Sequence, residues 1–469
     1  MNIILLSGGS GKRLWPLSNE VRSKQFIKIF KNEEDEYASM VQRVYKQIID
    51  VDPDVKLTIA TSKSQVSAIK NQLGDNASVC VEPCRRDTFP AIVLATAYLH
   101  DVLNVSEDEA VVVCPVDPYV EDTYYESVKK LQELAEQGKS NLTLMGIEPT
   151  YPSEKYGYII PESGEMVSSV SEFKEKPDVE TAKKYLEKNA LWNAGIFAFK
   201  IGYLLEKANQ LIEFENYQDL FDKYEELNKI SFDYAIVEKE TSIQVLRYSG
   251  DWKDVGTWNM MSEVMSDDTK GKAILDETCK NTNVVNELNV PILCMGCKDM
   301  IIAASEDGIL VSDKERSGYM KPYVEKIETE AMFAEKSWGT YTVVDAQPTS
   351  RTVKIFMRAG EHMSYHMHNY RSEVWTVVSG EGKVTLDGKE KYLNVGDVVS
   401  IPTKCKHMVE AITDLRMVEI QLGDEIRVDD KIKFNQIYKT LYSVDNMQYK
   451  QSYKEVYDNV ENEIHEYKN

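Results

Sequence analysis

The chain opens on a short run of consecutive apolar, largely β-branched positions, Ile3 to Leu6, and the same pattern returns at Leu57 to Ala60 and Val111 to Val113. Runs of this kind, with no polar alternation, predict strands buried on both faces. Between them, Ser39 to Ile49 and Ala91 to Val102 carry helical spacing. Strands alternating with helices predict a mainly parallel α/β sheet, with helices on both faces, up to about Met261. The period changes from about Ser262. Short β-prone pieces at Asn281 to Val285, Met300 to Ala303 and Gly308 to Val311, separated by turn formers, predict a small β connector. From Trp338 onward, closely spaced strands with glycine turns at Ser379-Gly380-Glu381-Gly382 and Leu386-Asp387-Gly388-Lys389 predict an all-β barrel or sandwich. Tyr449, Tyr453, Val456, Val460 and Ile464 then form one apolar stripe of a terminal helix, a surface for the barrel or for a second copy of the chain. The expected division is an α/β domain over 1–262, a connector over 263–330, a β barrel over 331–434 and a helical tail over 435–469.

Charge narrows the partners. With 77 Asp and Glu against 55 Lys and Arg, the chain carries a formal charge of −22. Its average field repels nucleic-acid polymers and anionic membranes, so neither is expected as a partner, and any phosphate must be met in a local basic pocket. The longest strongly apolar stretch, Ala91 to Leu99, is far short of the ~20 residues that cross a bilayer. The N-terminus has no basic region ahead of an apolar one and reads as the start of the mature fold. Seven cysteines, an odd number scattered over the chain, argue for reduced thiols and a cytoplasmic setting. The pair in Cys294-Met295-Gly296-Cys297 has no second pair to complete a zinc site and is expected to pack around a glycine turn.

The first strand runs into Ser7-Gly8-Gly9-Ser10-Gly11-Lys12-Arg13-Leu14-Trp15-Pro16-Leu17. Glycines after a buried strand let backbone N–H groups approach a phosphate or a base, and a cation at the turn offsets its charge. Lys12, Arg13, Arg22, Lys24 and Lys28 cluster here in an otherwise acidic chain. The turn is not a Walker loop, because Arg13 follows the Gly-Lys pair, and it lacks G-x-G-x-x-G spacing.

This turn, with Lys24-Gln25-Phe26 after it, resembles the signature of sugar-1-phosphate nucleotidylyltransferases, most closely the long bacterial mannose-1-phosphate guanylyltransferases fused to a type II phosphomannose isomerase-like cupin. Further blocks match in the family's order: Glu82-Pro83-x-x-Arg86-Asp87-Thr88, Pro115-Val116-Asp117, Tyr156-Gly157-Tyr158-Ile159, Phe173-x-Glu175-Lys176-Pro177-Asp178, Trp192-Asn193-Ala194-Gly195, Ser231-Phe232-Asp233-Tyr234-Ala235 and Trp252-x-Asp254-Val255-Gly256-Thr257-Trp258. The resemblance implies that a sugar phosphate oxygen attacks the α-phosphorus of a nucleoside triphosphate in line and pyrophosphate leaves, a reaction catalysed by positioning and charge neutralisation. It implies Arg13 on the triphosphate, Lys24 near the α-phosphate, and Asp117 and Asp254 on Mg²⁺. Gly157, Glu175 and Asn193 would take the sugar hydroxyls and Lys176 the sugar phosphate, with Gly8, Gly9, Gly11, Glu82 and Arg86 on the nucleotide side. Trp192, Phe197 and Trp258 are expected in the core. The chain departs from the family at Pro118, where His is usual, and at Asp87, where Asn is usual, which leaves the base and sugar open.

Four of the six histidines, His362, His366, His368 and His407, fall between residues 362 and 407. The spacings Gly360-x5-His366-x-His368-x4-Glu373-x6-Gly380 and Gly396-x5-Pro402-x4-His407 resemble the two cupin motifs. Residues two apart on a strand share a face, so His366 and His368 would point into one lumen. With Glu373 and His407 they would make a three-histidine, one-carboxylate set suited to Zn, Fe, Mn or Ni, and His362 would lie outside it. Lys336-Ser337-Trp338-Gly339-Thr340-Tyr341 and Glu419-Ile420-Gln421-Leu422-Gly423 also look like isomerase landmarks, but Val374 and Lys433 replace the usual His and Arg. The resemblance implies an enzyme that makes GDP-mannose from GTP and mannose 1-phosphate, and the cysteine pattern places it in the cytoplasm. Its cupin either isomerises mannose 6-phosphate and fructose 6-phosphate or only binds metal, sugar or a partner subunit, and a homo-oligomer is one way to cover the terminal stripe.

Overall fold

A computed structural model describes residues 1–9, 12–19, 21–327, 330–427 and 430–434. Gly11 and the expected terminal helix lie outside the described residues. The first half is built on a nine-stranded sheet. From one edge to the other its strands are Ser78–Glu82, Lys56–Ser62, Asn2–Ser7, Ala110–Pro115, Leu191–Lys200, Leu142–Ile147, Ile243–Tyr248, Val167–Lys174 and Gly157–Pro161. The four that begin this order are parallel, as the short apolar runs predict. Leu191–Lys200 then runs antiparallel to Ala110–Pro115, so the sheet is mixed.

Successive residues of the first strand feed opposite faces: Ile3 and Leu5 enter one core and Ile4 the other. Helices Met40–Val51 and Thr123–Glu136 cover the first face, and Thr88–Asp101 and Ile201–Asn209 the second. Helix Met40–Val51 starts with a capping box, in which Ser39 Oγ accepts from Gln42 N and Gln42 Oε1 from Ser39 N. Trp192, Phe197 and Trp258 are buried, as expected.

The connector is a short stack of parallel strands, with Gly308–Asp313 added antiparallel to Met300–Ser305. Thr269–Lys270, Asn283–Asn286 and Met300–Ser305 form one ladder, and Ala273–Leu275 pairs with Ile292–Cys294 in another. Val284, Cys294 and Ile302 fill its interior, with Cys279 and Cys297 packed against them, and all seven cysteines are free. It seats on the glycine-rich segment: Arg22 makes a forked ion pair with Glu287 at 2.6 and 3.0 Å, and Ser305 Oγ donates to Pro16 O at 2.7 Å. Gly308 has φ +147°, and a Cβ there would lie 2.5 Å from the Trp15 ring, so only glycine allows this approach.

The C-terminal half is a barrel of two sheets. The larger orders Phe333–Lys336, Gly339–Gln347, Ser350–Met357, Leu415–Leu422, Ser372–Ser379 and Val398–Ile401; the smaller orders Lys389–Leu393, Gly382–Leu386, His407–Ala411, His366–Met367 and Ile432–Lys433. Asn71 Nδ2 donates to Lys336 O and Gly339 O at 2.7 and 2.8 Å, fixing the barrel on helix Val66–Leu73.

Candidate active site

A buried polar network shapes the glycine turn. Gln25 Nε2 donates to Ser7 Oγ at 2.9 Å, Thr61 Oγ1 to Gln65 Oε1 at 2.9 Å, and Gln65 Nε2 to Ser23 Oγ at 2.7 Å. Ser23 Oγ in turn donates to Gly9 O at 3.1 Å. With its carbonyl held inward and φ at +126°, Gly9 adopts a backbone that side-chain-bearing residues rarely reach, and open space lies where a Cβ would point at Gly8 and Gly9.

Lys24 follows this turn on a short 3₁₀ segment anchored by the buried side chains of Gln25 and Phe26. Its ammonium lies 2.7 Å from Asp117 Oδ2 and 3.9 Å from Asp254 Oδ1. Asp117 follows the carboxyl end of strand Ala110–Pro115, the usual position for ligands in open α/β sheets. Asp254 arrives from far along the chain because Trp252–Asp254 pairs antiparallel with Pro118–Val120, aligning Asp254 with Pro118. A Cβ on Gly256 would sit 3.0 Å from Asp254 Oδ1 and 3.6 Å from Lys24 Nζ, so this glycine leaves the cluster room. Two carboxylates converge here, on one lysine ammonium, and hard oxygen donors of this kind are the type that Mg²⁺ takes.

Beside the two aspartates opens a cavity lined by Gly157, Glu175, Lys176, Asn193 and Asp233 among others. Glu175 Oε1 meets Lys176 Nζ at 2.7 Å, whereas Glu175 Oε2 is buried with no hydrogen-bond partner. A Cβ on Gly157 would fall 2.5 Å from that free oxygen, so the glycine keeps its approach clear. A buried acceptor without a donor is costly unless a ligand hydroxyl supplies one. Asn193 Nδ2 donates to Asp233 Oδ1 at 2.6 Å. Burial, then the neighbouring Glu175 charge, pushes the Asp233 carboxyl up to about 6.

The nucleotide-side residues separate. Arg85, rather than Arg86, reaches the glycine turn, with Nη2 at 3.3 Å from Gly9 O. Arg86 instead donates to Glu225 O, and Glu82 accepts from Tyr224 OH at 2.8 Å. Burial pushes the Glu82 carboxyl up. Asp87, which departs from the family pattern, caps helix Thr88–Asp101 by accepting from Thr88 N at 2.8 Å. Its charge therefore serves a helix N-terminus. Arg13 lines a wider cleft next to the cavity.

In the barrel, His366 and His407 are direct partners across the small sheet, and the ligand nitrogens of His366, His368 and His407 lie within 4.8 Å of one another. Glu373 arrives from the opposing sheet, 3.1 Å from His368 Nε2 and 3.4 Å from His407 Nε2. Burial raises its affinity for a proton, but the two flanking imidazoles outweigh this and hold the carboxyl well below the usual range. Burial, then the Lys431 charge, lowers His366 and keeps it neutral, the form that binds metal. Each imidazole is oriented through Nδ1 by a backbone carbonyl: Ser364 for His366, Asp430 for His368 and Cys405 for His407. His407 Nε2 is buried and, beyond its 3.4 Å approach to Glu373, makes no hydrogen bond, which a metal ion would answer. His362 lies on the surface, as expected. The cluster also holds residues that the motif spacing does not mark. Arg371 Nε donates to Glu373 Oε1 at 3.0 Å, and Glu419 is a buried carboxyl pushed up to about 8 by burial and by the Glu373 charge.

The family model described as nucleotidyl transferase matches residues 2–271. The chain belongs to the nucleotidyl transferase family. A second family model, mannose-6-phosphate isomerase C-terminal, matches residues 325–436, over the barrel of this nucleotidyltransferase. The chain is similar to mannose-1-phosphate guanylyltransferase 2 of Escherichia coli O157:H7, at 29% identity over 93% of this chain and 98% of the relative. It is equally similar to the xanthan biosynthesis protein XanB of Xanthomonas campestris pv. campestris strain B100, at 29% identity over 93% and 98%. Among solved structures, one from Thermus thermophilus described as a mannose-1-phosphate geranyltransferase aligns at 27% identity and TM-score 0.57, covering 70% of this chain and 99% of that one. Among the described residues of this nucleotidyltransferase, no helix is long and apolar enough to cross a membrane. Asp233, Gly256, Arg85 and the Gln25–Gln65 network have no spacing signature that would single them out; Asp233, Gly256 and Gln25 are named positions of matched blocks, which is the one signal they leave.

Proposed function

We propose that this sugar-1-phosphate nucleotidyltransferase joins GTP and mannose 1-phosphate into GDP-mannose and pyrophosphate. The observation that carries the reading is the Lys24–Asp117–Asp254 cluster standing at the wall of the cavity that holds Glu175, Lys176 and Asn193. In the reaction a sugar phosphate oxygen forms a bond to the α-phosphorus, the bond to the β-phosphate oxygen breaks, and the electron pair leaves with pyrophosphate. Arg13 would neutralise the triphosphate and Lys24 the charge that develops near the α-phosphorus. Lys176 would take the sugar phosphate, and the open oxygen of Glu175 and the amide of Asn193 the sugar hydroxyls. Gly8 and Gly9 would let the nucleotide lie against the backbone beside Arg85, while Glu82 and Arg86 would have to exchange their partners Tyr224 and Glu225 to reach it. Asp117 and Asp254 would hold Mg²⁺, which when bound neutralises phosphate charge. Pyrophosphate release across a panel of nucleoside triphosphates and sugar 1-phosphates tests the reading. GTP with mannose 1-phosphate ranking below several other pairs would remove the substrate assignment.

The His407 nitrogen left without a hydrogen bond and the buried carboxylate between two imidazoles favour a second activity, metal-dependent exchange of mannose 6-phosphate and fructose 6-phosphate in the barrel. His366, His368, Glu373 and His407 would hold Zn, Fe, Mn or Ni. An isomerase assay with each metal, on the native chain and on Glu373→Ala, decides it, because loss in the variant with nucleotidyl transfer kept would assign the activity to the barrel. The division into 1–262, 263–330, 331–434 and 435–469 follows the same reading. The free thiols support a cytoplasmic setting. A homo-oligomer is proposed from the terminal stripe, with light scattering as its check.

A further inference from the structure

The connector does more than join two domains. Its face beside the glycine-rich segment borders a cleft of about 1380 Å³, whose other wall carries Arg13, Lys176 and Asp254. From the connector, Arg316, Lys321 and Lys326 line the same space. With Lys155 added, six cations face three carboxylates, those of Glu154, Asp178 and Asp254. A local excess of positive charge is unusual in a chain of net charge −22, and a cleft with low-dielectric walls focuses such a field on a small polyanion. Arg316 lies over the exposed Tyr319 ring at 5.9 Å, and Lys326 over Tyr323 at 5.5 Å. The Lys321–Glu325 contact at 3.7 Å is an exposed pair on one helix, weak enough to yield to a phosphate.

The placement is fixed rather than incidental. Helix Lys321–Val324 packs on the segment Lys12–Leu14 that carries Arg13. The connector behind it is seated by the Arg22–Glu287 fork, by Ser305 on Pro16 and by Gly308 against Trp15. Lys176 and Asp254 line both this cleft and the sugar cavity, so the two spaces adjoin.

We propose that Arg316 and Lys321, with Lys326, complete the triphosphate site from the connector: they hold the β,γ-phosphate end of the nucleotide and the pyrophosphate product. They are positioning residues for the leaving group, and the proposal rests on the nucleotidyltransferase reading above. No covalent step is added to the reaction.

Titration of the full chain with inorganic pyrophosphate, followed by calorimetry, tests this without reference to the base or the sugar. The double variant Arg316→Ala/Lys321→Ala is expected to bind pyrophosphate about tenfold or more weakly, the loss of one to two charge-assisted contacts. Arg316→Lys/Lys321→Arg should recover most of that affinity, which a purely structural role would not predict. In turnover the alanine double variant should raise the KM for GTP and leave the KM for mannose 1-phosphate unchanged. Should that variant not fold, Lys326→Ala is read the same way, with about threefold weaker pyrophosphate binding expected. Equal pyrophosphate affinity in the native chain and the folded variant, or no binding by the native chain, overturns the proposal. A native chain that binds pyrophosphate tightly and the variant weakly, but does not turn over GTP with mannose 1-phosphate, supports it and removes only the substrate assignment.

Discussion

The Lys24 ammonium and the Asp117 carboxylate stand 2.7 Å apart at the end of a buried strand, and the ribbon pairing Asp254 with Pro118 adds a second carboxylate at 3.9 Å from the same nitrogen. One cation thus balances two partly exposed acids, and a divalent ion or a phosphate entering the cluster changes the partners of all three. Asp254→Asn keeps the shape and removes one charge. It is expected to lower nucleotidyl transfer by roughly 10²–10³-fold, the usual effect of deleting one preorganised electrostatic group, with little change in melting temperature. Pyrophosphate release measured at saturating substrate checks it, and unchanged release would exclude Asp254 from the reacting centre.

Asp233 supplies a pH signature. Its folded carboxyl is raised to about 6 from an ordinary 3.8, by burial and by the Glu175 charge. Between these values the folded chain keeps a proton that the unfolded chain has released, so this group's contribution to stability falls as pH rises from about 4 to about 6. The KM for mannose 1-phosphate should change across pH 6 in the native chain. In Asp233→Asn that component should vanish, leaving the titration of the sugar phosphate itself. Parallel KM profiles for the two proteins would show that Asp233 does not face the sugar.

Glu287 titrates in the opposite sense. Burial raises its carboxyl, but the charge and forked hydrogen bonds of Arg22 outweigh this and bring it down to about 2 from 4.5. The fork therefore stabilises the folded chain fully above about pH 4.5, and this is lost as pH falls toward 2, on the order of 3 kcal/mol in all. Urea unfolding of native chain and Glu287→Gln should show a large stability gap at pH 7 that narrows by pH 3. A gap that stays constant with pH would mean the carboxylate charge is not what seats the connector.

Gln65 ties the glycine turn to its strand. Gln65→Leu leaves Ser23 Oγ and Thr61 Oγ1 without their side-chain partner, at a cost of about 1–3 kcal/mol, and removes one of the three donors to the Gly9 carbonyl. Thermal melting should register that loss, and the KM for the nucleoside triphosphate should rise more than that for the sugar phosphate. Equal effects on both would argue for general destabilisation.

The barrel should take up about one transition-metal ion per chain. Elemental analysis after dialysis against Zn²⁺ or Mn²⁺ checks this, with His368→Ala or His407→Ala expected to lose the ion. Undiminished metal in both variants would place it elsewhere.

The legible parts of this chain are those with a period or a matched block. Ile3, Ile4 and Leu5 read as a doubly buried strand because both of its faces meet a core. His366 and His368 read as sharing a face because a strand repeats every two residues. The antiparallel insertion of Leu191–Lys200 and the stacked parallel strands of the connector left no such trace, because pairing direction depends on which strands meet. Asp87, a departure in sequence, is a helix cap in space. Arg85 and Arg86 are neighbours in sequence, yet one reaches the glycine turn and the other a distant carbonyl.

By itself, the sequence determined the order of structural classes and the glycine-rich turn with its cations, which follow from local propensity and spacing, and it named candidate residues for both sites only through the blocks that match a family. Only the tertiary structure decided that Asp254 stands beside Lys24, that Glu175 keeps one oxygen free over Gly157, and that Arg316 and Lys321 share a cleft with Arg13. Each of these depends on a contact between segments far apart along the chain. Such contacts are set by strand pairing and by the seating of the connector on Trp15 and Arg22, and no local period encodes them.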